Sequence, residues 1–445
     1  MPIPGTMRLA IVIVLIAAST MAKADNLLDI YQLATASDPQ LRQAEAAYHA
    51  VEETKNQAQA GLFPQIALGA NLTRDRQEIT SISSPIPGFQ PTTFYSNTKG
   101  YNLSLSQALY HRDLFVQLRE ADAATAQAEA NYKAAGQDLA VRATDRYFNV
   151  LGAVDNLSFA QAEKKANQRL LEQAKQRFEV GLIAITDVNE AQAAYDLSVA
   201  REITADNQLA VAKEELREVT GKFSASLQPL KEAVPLPSPD PADVEKWVDT
   251  ALKQNYQLLA AQAGVDKAQE DVELSRSGHY PQLDVVASYG YSDVGDSLFG
   301  GSTTNDAQIG LQFNLPLYQG GGTISRVRAA QYRLTQAKEA LEQQRRSTDR
   351  QTRSAYLTVI DAINSVNALK QALVSTQSAL DATQAGYEVG TRTIVDVLQS
   401  QSNVFDAQRN YAQARYNYVV SSLRLKEAAG LLDPADVEEI NRWLE

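Results

Sequence analysis

The sequence predicts a mixed, mostly α protein in which very long helices carry a small β-sheet of the membrane-barrel type. Three observations predict it: an internal duplication, four segments of apolar alternation, and proline-free stretches far longer than the helices of an ordinary core.

The duplication sets the plan. Tyr147, Leu151, Val154 and Leu157 recur as Tyr356, Ile360, Ile363 and Val366, and "FPQI" at Phe63–Ile66 recurs as "YPQL" at Tyr280–Leu283. Two turns match as well, "FEVGLIAITDV" at Phe178–Val188 and "YEVGTRTIVDV" at Tyr387–Val397. The copies are expected at residues 25–221 and 244–430, with 431–445 as a C-terminal segment. The linker at 222–243 holds Pro229, Pro235, Pro237, Pro239 and Pro241, a density that breaks regular structure.

Within each copy the expected order is helix, two alternating segments, a very long helix, a turn and another long helix. Ile66, Leu68, Ala70 and Leu72 alternate with Ala67, Gly69, Asn71 and Thr73, and Tyr101, Leu103 and Leu105 alternate with Asn102, Ser104 and Ser106. The second copy supplies Leu283, Val285, Ala287, Tyr289 and Tyr291, then Ile309, Leu311, Phe313, Leu315 and Leu317. Period two with one apolar face and small polar residues opposite is the pattern of a transmembrane β-barrel. A soluble antiparallel sheet with one face in a core would read the same way. Ser83–Pro91 and Val294–Asn305 are expected as loops at the strand tips. Four strands cannot close a barrel, and lipid does not tolerate an open edge, so a membrane reading requires several chains to share one barrel.

The helices are the larger part. Arg112–Val180 contains no proline and would span ~100 Å as one helix. After the second turn, Val397, Val404, Tyr411, Tyr418 and Leu425 fall at intervals of seven; Val188, Tyr195, Leu209 and Leu216 share such a ladder in the first copy, interrupted by Glu202. A seven-residue period implies left-handed supercoiling of helix pairs.

Composition narrows the function. The formal charge is −12, and the first 24 residues contribute only Arg8 and Lys23, which speaks against nucleic-acid binding. Arg8, the apolar run Leu9–Ala18 and Ala22-Lys23-Ala24 read as a cleaved secretory signal over residues 1–24. There is no cysteine, hence no disulfide and no thiolate metal site. "HRDL" at His111–Leu114 lacks the asparagine and glycine-rich loop of a kinase, and "YQGGGTIS" at Tyr318–Ser325 lacks the lysine of a phosphate-binding loop. His49 and Glu53 are too few for a metal site. Neither an enzyme activity nor a cofactor is expected.

The turns remain. Gly181 and Gly390 suit the left-handed position that ends a helix, and Thr186, Asp187 and Asp396 stand where the next helix starts and can cap it. Capping does not account for Arg392 or Tyr387. The first turn, around Ala184, carries no cation.

The chain resembles the TolC family of outer-membrane channel-tunnel proteins over nearly its whole mature length. The segments that carry the resemblance are "YFNVL" (Tyr147–Leu151), "RFEVGLIAITDV" (Arg177–Val188), "LPLYQGG" (Leu315–Gly321), "GYEVGTRTIVDVL" (Gly386–Leu398) and "ARYNY" (Ala414–Tyr418). The resemblance implies a homotrimer with a shared twelve-stranded barrel, a long α-helical tunnel through the periplasm and an equatorial α/β belt. It implies an exit duct for multidrug efflux and type I protein secretion, recruited by inner-membrane pumps or exporters and periplasmic adaptors. By the same resemblance Arg392 and Tyr387 match residues that tie the inner coil to the outer, Thr186 and Asp187 match their partners, and Asp396 matches the first acidic position of the constriction. The second is Gln399 here, so one ring of carboxylates is expected where the family has two, with Glu190 as a further charge of undetermined direction. Two other classes stay open: a periplasmic coiled-coil adaptor, which the four alternating segments disfavour, and a secreted hydrolase, which lacks any nucleophile–base set.

Overall fold

The structure is a computed structural model that describes residues 24–79, 92–224, 226–295 and 300–445. Residues 1–23 of the expected signal segment and the Ser83–Pro91 loop lie outside the described residues. Two short helices, α1 (Leu27–Ser37) and α2 (Pro39–Ala60), precede strands β1 (Gln65–Ile79) and β2 (Thr92–His111). Helices α3 (Arg112–Glu179) and α4 (Ile185–Thr220) follow. The same order then repeats as α5 (Val244–Gln254), α6 (Tyr256–Ser277), β3 (Gln282–Gly295), β4 (Ser302–Asn314), α7 (Gly322–Glu388) and α8 (Ile394–Ala429), and α9 (Pro434–Asn441) ends the chain.

The single helix expected before each strand pair is in fact two, and the reason is local. Asp38 accepts from the Leu41 amide at 2.8 Å and stands before Pro39, so one helix stops and another starts. The Asp38 carboxylate is buried against Arg142 of α3 at 2.9 Å, which fixes the break on the long helix. Asn255 does the same between α5 and α6: it accepts from Leu258 at 3.0 Å and donates to the Ala428 carbonyl of α8 at 3.1 Å. Nearby, Gly430 (φ 75°) ends α8 so close to Gln254 that a Cβ would clash with its carbonyl oxygen.

The four strands form one antiparallel sheet in the order β1-β2-β3-β4. They are longer than the alternating segments, and residues 294–295 and 302–305, expected in a loop, are strand. Their register answers the question the alternation raised. Leu68 pairs with Leu103, Leu103 with Tyr289 and Tyr289 with Ala307; one step along, Ile66, Leu105, Ala287 and Ile309 align. All four apolar series therefore share one face as far as the strands run; Leu315 and Leu317, expected in the fourth strand, lie beyond β4, which stops at Asn314 ahead of Pro316. That face is bare: Leu72 is 78% and Ile309 81% exposed, and no other element among the described residues covers them. The other face carries Gly69, Asn102, Ser104, Ser288, Gln308 and Gly310. β2 runs for 20 residues, ~65 Å, well beyond an apolar band of ~25 Å. Its surplus pairs with the charged outer half of β1, where Arg74 lies over the Tyr95 ring at 5.5 Å. Among the described residues both outer strands, β1 and β4, keep an open edge.

The helices leave the sheet as pairs. α2 and α6 pack on α3, held by Lys55–Asp122 at 2.8 Å, Arg112–Glu273 at 2.9 Å and Arg119–Glu270 at 2.9 Å. On the far half, α4 coils with α3 and α8 with α7. The seam of α4 combines the predicted ladder, with Leu216 buried and Val188, Tyr195 and Leu209 packed against the cores, with a second one three residues on: Ala191, Ser198, Ala205, Ala212 and Val219, at intervals of seven, are buried. Small side chains there bring the backbones close. Glu202, which interrupts the predicted ladder, pairs with Lys164 at 2.7 Å. Among the described residues no helix is long and apolar enough to cross a membrane.

At mid-length the proline-rich linker and the C-terminal segment wrap α3 and α8. Short bridges join Asp25 to Leu227 and Leu230 to Leu444. Tyr147 of α3 donates to the Gln228 carbonyl at 2.7 Å, and Tyr418 of α8 to the Pro237 carbonyl at 2.9 Å. Phe148, Leu151, Val419 and Leu423 belong to the main core beneath this wrap.

Glu427 lies at the end of α8. Burial, and secondarily the charge of Asp138, raises its carboxyl to about 7, with Arg424 opposing. Its pKa is higher folded than unfolded, so the folded state binds the extra proton, and stability falls as pH rises from the ordinary carboxylate range through about 7. Glu427→Gln is expected to raise thermal stability by on the order of 2 kcal/mol per chain at pH 8 and by little at pH 4. Melting curves of the two proteins at both pH values check this; an equal shift at both would place the effect elsewhere.

Candidate channel gate

The two helix–turn–helix tips, at 180–184 and 389–393, end the coils furthest from the sheet. Gly181 (φ 74°) and Gly390 (φ 81°) take the left-handed conformation there. Beyond this the tips differ. Thr393 caps α8 in a reciprocal box: its hydroxyl receives the Asp396 amide at 3.2 Å, and the Asp396 carboxylate receives the Thr393 amide at 2.9 Å. The corresponding residue before α4 is Ala184, which has no side chain to cap with. Asp396 is thus the N3 residue of a capping box, while Asp187 makes no such bond.

The hydrogen bonds from the Thr393 amide and hydroxyl hold the Asp396 carboxyl below the usual carboxylate range, and the nearby Arg392 adds to this. Gln399 stands one helical turn on, exposed, and donates to Asn403 at 3.0 Å. Glu190 is exposed near the start of α4.

Tyr387 is half-buried against the apolar cluster of Leu171, Ala174, Ala191 and Ile394, with Ile183 and Val188 beside it. The Arg177 guanidinium lies over its ring, 4.8 Å from the centroid. This contact joins α3 to α7 and has no signature in the sequence. Arg392 is exposed and, within the chain, forms neither a hydrogen bond nor an ion pair with Asp187 or Thr186. The structure therefore brings Tyr387 to the first turn but leaves Arg392, Asp187 and Thr186 unengaged with one another.

Above the tips, α3 and α8 are joined by polar contacts that no local sequence pattern announces. Gln401 donates to Asn167 at 2.9 Å in a buried position. Arg409 of α8 reaches Glu163 at 3.5 Å, and Arg201 of α4 reaches the same carboxylate. Glu163 is 2% exposed, and one of its oxygens has no hydrogen bond. Tyr416 donates to Asp155 at 2.6 Å, and burial followed by that carboxylate pushes its phenol well up. These polar contacts add to the apolar packing of α3 on α8, where the Phe148 and Tyr416 rings stack at 5.5 Å.

The other motifs are structural. His111 pairs with Asp284 at 3.0 Å across β2 and β3, and His49 bonds Glu52 at 3.0 Å rather than facing Glu53. Gly320 (φ 61°) and Gly321 (φ 81°) form the turn into α7.

The sequence profile described as "Outer membrane efflux protein" matches residues 30–222 and 247–431, once in each half of the chain. The chain is 38% identical over 441 residues to the outer membrane protein TolC of Escherichia coli, covering 96% of this chain and 86% of that protein. It is 38% identical over 429 residues to TolC of Vibrio cholerae, covering 96% and 95%. With the alkaline protease secretion protein AprF of Pseudomonas aeruginosa it shares 29% identity over 415 residues, covering 93% and 86%. Among solved structures, the CmeC outer membrane channel of Campylobacter jejuni superposes with a TM-score of 0.77 at 17% identity, covering 95% of this chain and 90% of that one. VceC of Vibrio cholerae superposes with a TM-score of 0.74 at 19% identity, covering 91% and 96%. The chain belongs to the outer membrane efflux protein family.

Proposed function

We propose that three copies of this chain form a passive, gated duct through the outer membrane, which efflux pumps and type I exporters of the inner membrane use through periplasmic adaptors. The observation that carries this reading is the bare apolar sheet face with two open edges. Lipid accepts that face but not the edges, and three four-stranded sheets joined edge to edge give a closed twelve-stranded barrel. Relatives named for outer-membrane efflux and for protease secretion support both uses. Residues 25–221 and 244–430 act as two repeats, and the linker 222–243 with segment 431–445 supplies the equatorial belt. Light scattering in mild detergent should give a particle of three chains. A folded monomer as the only species would refute the shared barrel.

The gate lies at the tips. Tyr387 holds the inner turn against the outer one within the chain. Arg392 and Thr186 are exposed, Asp187 is half-buried, and none of the three engages another in one chain, so the clasp between them runs from each subunit to its neighbour. Asp396 forms the constriction ring, with Gln399 beside it in place of a second carboxylate.

A further inference from the structure

The two copies within the chain meet along one joint and leave its counterpart unmade. In the joint, α3 of the first copy packs on α6 and α8 of the second. The duplication fixes which residues are equivalent. Tyr147 and Tyr356 set the offset between the long helices, and burial follows it: Ala121, Leu139, Ala143 and Val150 are buried, and so are Ala330, Thr348, Thr352 and Val359. Phe63 and Tyr280 set the offset between α2 and α6, and the cap residues Asp38 and Asn255 keep it. The counterpart of the joint would set α7 against α2 and α4. The helix layer runs α2-α3-α6-α7 near the sheet and α4-α3-α8-α7 beyond the belt, so α7 stands at one side and α2 and α4 at the other.

The two sides nonetheless match. Arg119 of α3 pairs with Glu270 of α6 at 2.9 Å. Their equivalents are Arg328 of α7 and Glu53 of α2. Arg328 is exposed and takes no hydrogen bond or ion pair among the described residues, and exposed Glu53 bonds only Asn56 of its own helix. Beyond the belt, Phe148 of α3 stacks on Tyr416 of α8, with Ala412 and Val420 one turn to either side of Tyr416, and all four are buried. Their equivalents are Leu357 of α7 and Asn207, Ile203 and Val211 of α4. Leu357 is 63%, Ile203 66% and Val211 50% exposed. A cation and an apolar side chain on one side thus stand at the positions that meet an anion and apolar side chains on the other. The chain that fits both is a second copy of itself.

We infer that α7 of each chain seats against α2 and α4 of the next, repeating the joint within the chain, with Arg328 paired to Glu53 and Leu357 covering Ile203 and Val211. This rests on the three-chain reading and adds a helical contact to the strand edges. The buried contacts Glu163–Arg409 and Asp155–Tyr416 are not repeated, since their equivalents are Ala372 with Ala200 and Asn364 with Asn207. The joint between chains therefore depends on Arg328–Glu53 for its charge contact.

Arg328→Glu and Glu53→Arg, made singly and together, test the pair by electrophoresis of trimer dissociation in mild SDS. Three exposed pairs, each weak, multiply to about tenfold. Each single reversal should speed dissociation by about that factor, and the swap should restore the rate to within about twofold. A short bismaleimide on Asn207→Cys with Leu357→Cys should link chains to one another, and neither single cysteine should be linked. Light scattering on the same samples separates this joint from the shared barrel. Trimers that ignore both reversals, that the swap fails to rescue or that give no link would overturn the joint and leave the barrel standing. A folded monomer as the only species of the unmodified chain would overturn both.

Discussion

Replacing Arg392 by serine and Tyr387 by phenylalanine together is expected to raise single-channel conductance in planar bilayers. Phenylalanine keeps the ring that packs on Leu171 and Ile394 and sits beneath Arg177. The double variant therefore removes a hydroxyl and a guanidinium and leaves the apolar contact in place. Exposed charge contacts are individually weak, ~0.2–1 kcal/mol, but three symmetric copies act on one gate. At roughly tenfold per 1.4 kcal/mol, the open-to-closed ratio shifts by about three- to a hundredfold. Recordings of the folded double variant at unchanged conductance would reject the clasp.

Asp396→Asn is expected to abolish block by multivalent cations. Three such carboxylates converging on one axis attract cations into a narrow passage. Asparagine keeps an acceptor for the Thr393 amide, so the helix start survives while the charge is lost. Convergence alone would couple the three groups and hold some protons tightly. Within one chain the capping box acts the other way and lowers the Asp396 pKa. A depressed pKa means that the charge is present above it and lost only as pH falls through it. Block should then persist into acid and fade below the ordinary carboxylate range. With Gln399 in place of a second carboxylate the block should be weak and salt-sensitive, and Gln399→Asp should tighten it. Intact block and cation selectivity in Asp396→Asn would move the constriction elsewhere.

What is legible in the sequence is whatever repeats at short range. Alternation at Ile66–Leu72 and Ile309–Leu317 is a local signal, and the register places it on a single apolar face as far as Phe313. The glycines at 181 and 390 announce a backbone conformation and take it. The outer half of β1, "TRDRQE", gives no strand signal because both its faces are polar. The seam from Ala191 to Val219 gives little because alanine and serine carry little hydropathy. The breaks at Asp38 and Asn255 are legible in principle as cap residues at a helix start. The contacts between α3 and α8 are not, since Glu163 and Arg409 lie far apart in sequence and only the packing of one copy on the other brings them together.

The clasp across subunits is tested most directly by Asp187→Cys with Arg392→Cys. The chain contains no cysteine, so no native thiol competes. A disulfide requires Cα atoms within about 7 Å, so its formation reports the distance between the two turns. Oxidation should link chains covalently into a species of three and hold conductance at its closed level, and reduction should reverse both. Links formed only within single chains, or linked trimers that conduct as before, would contradict the account.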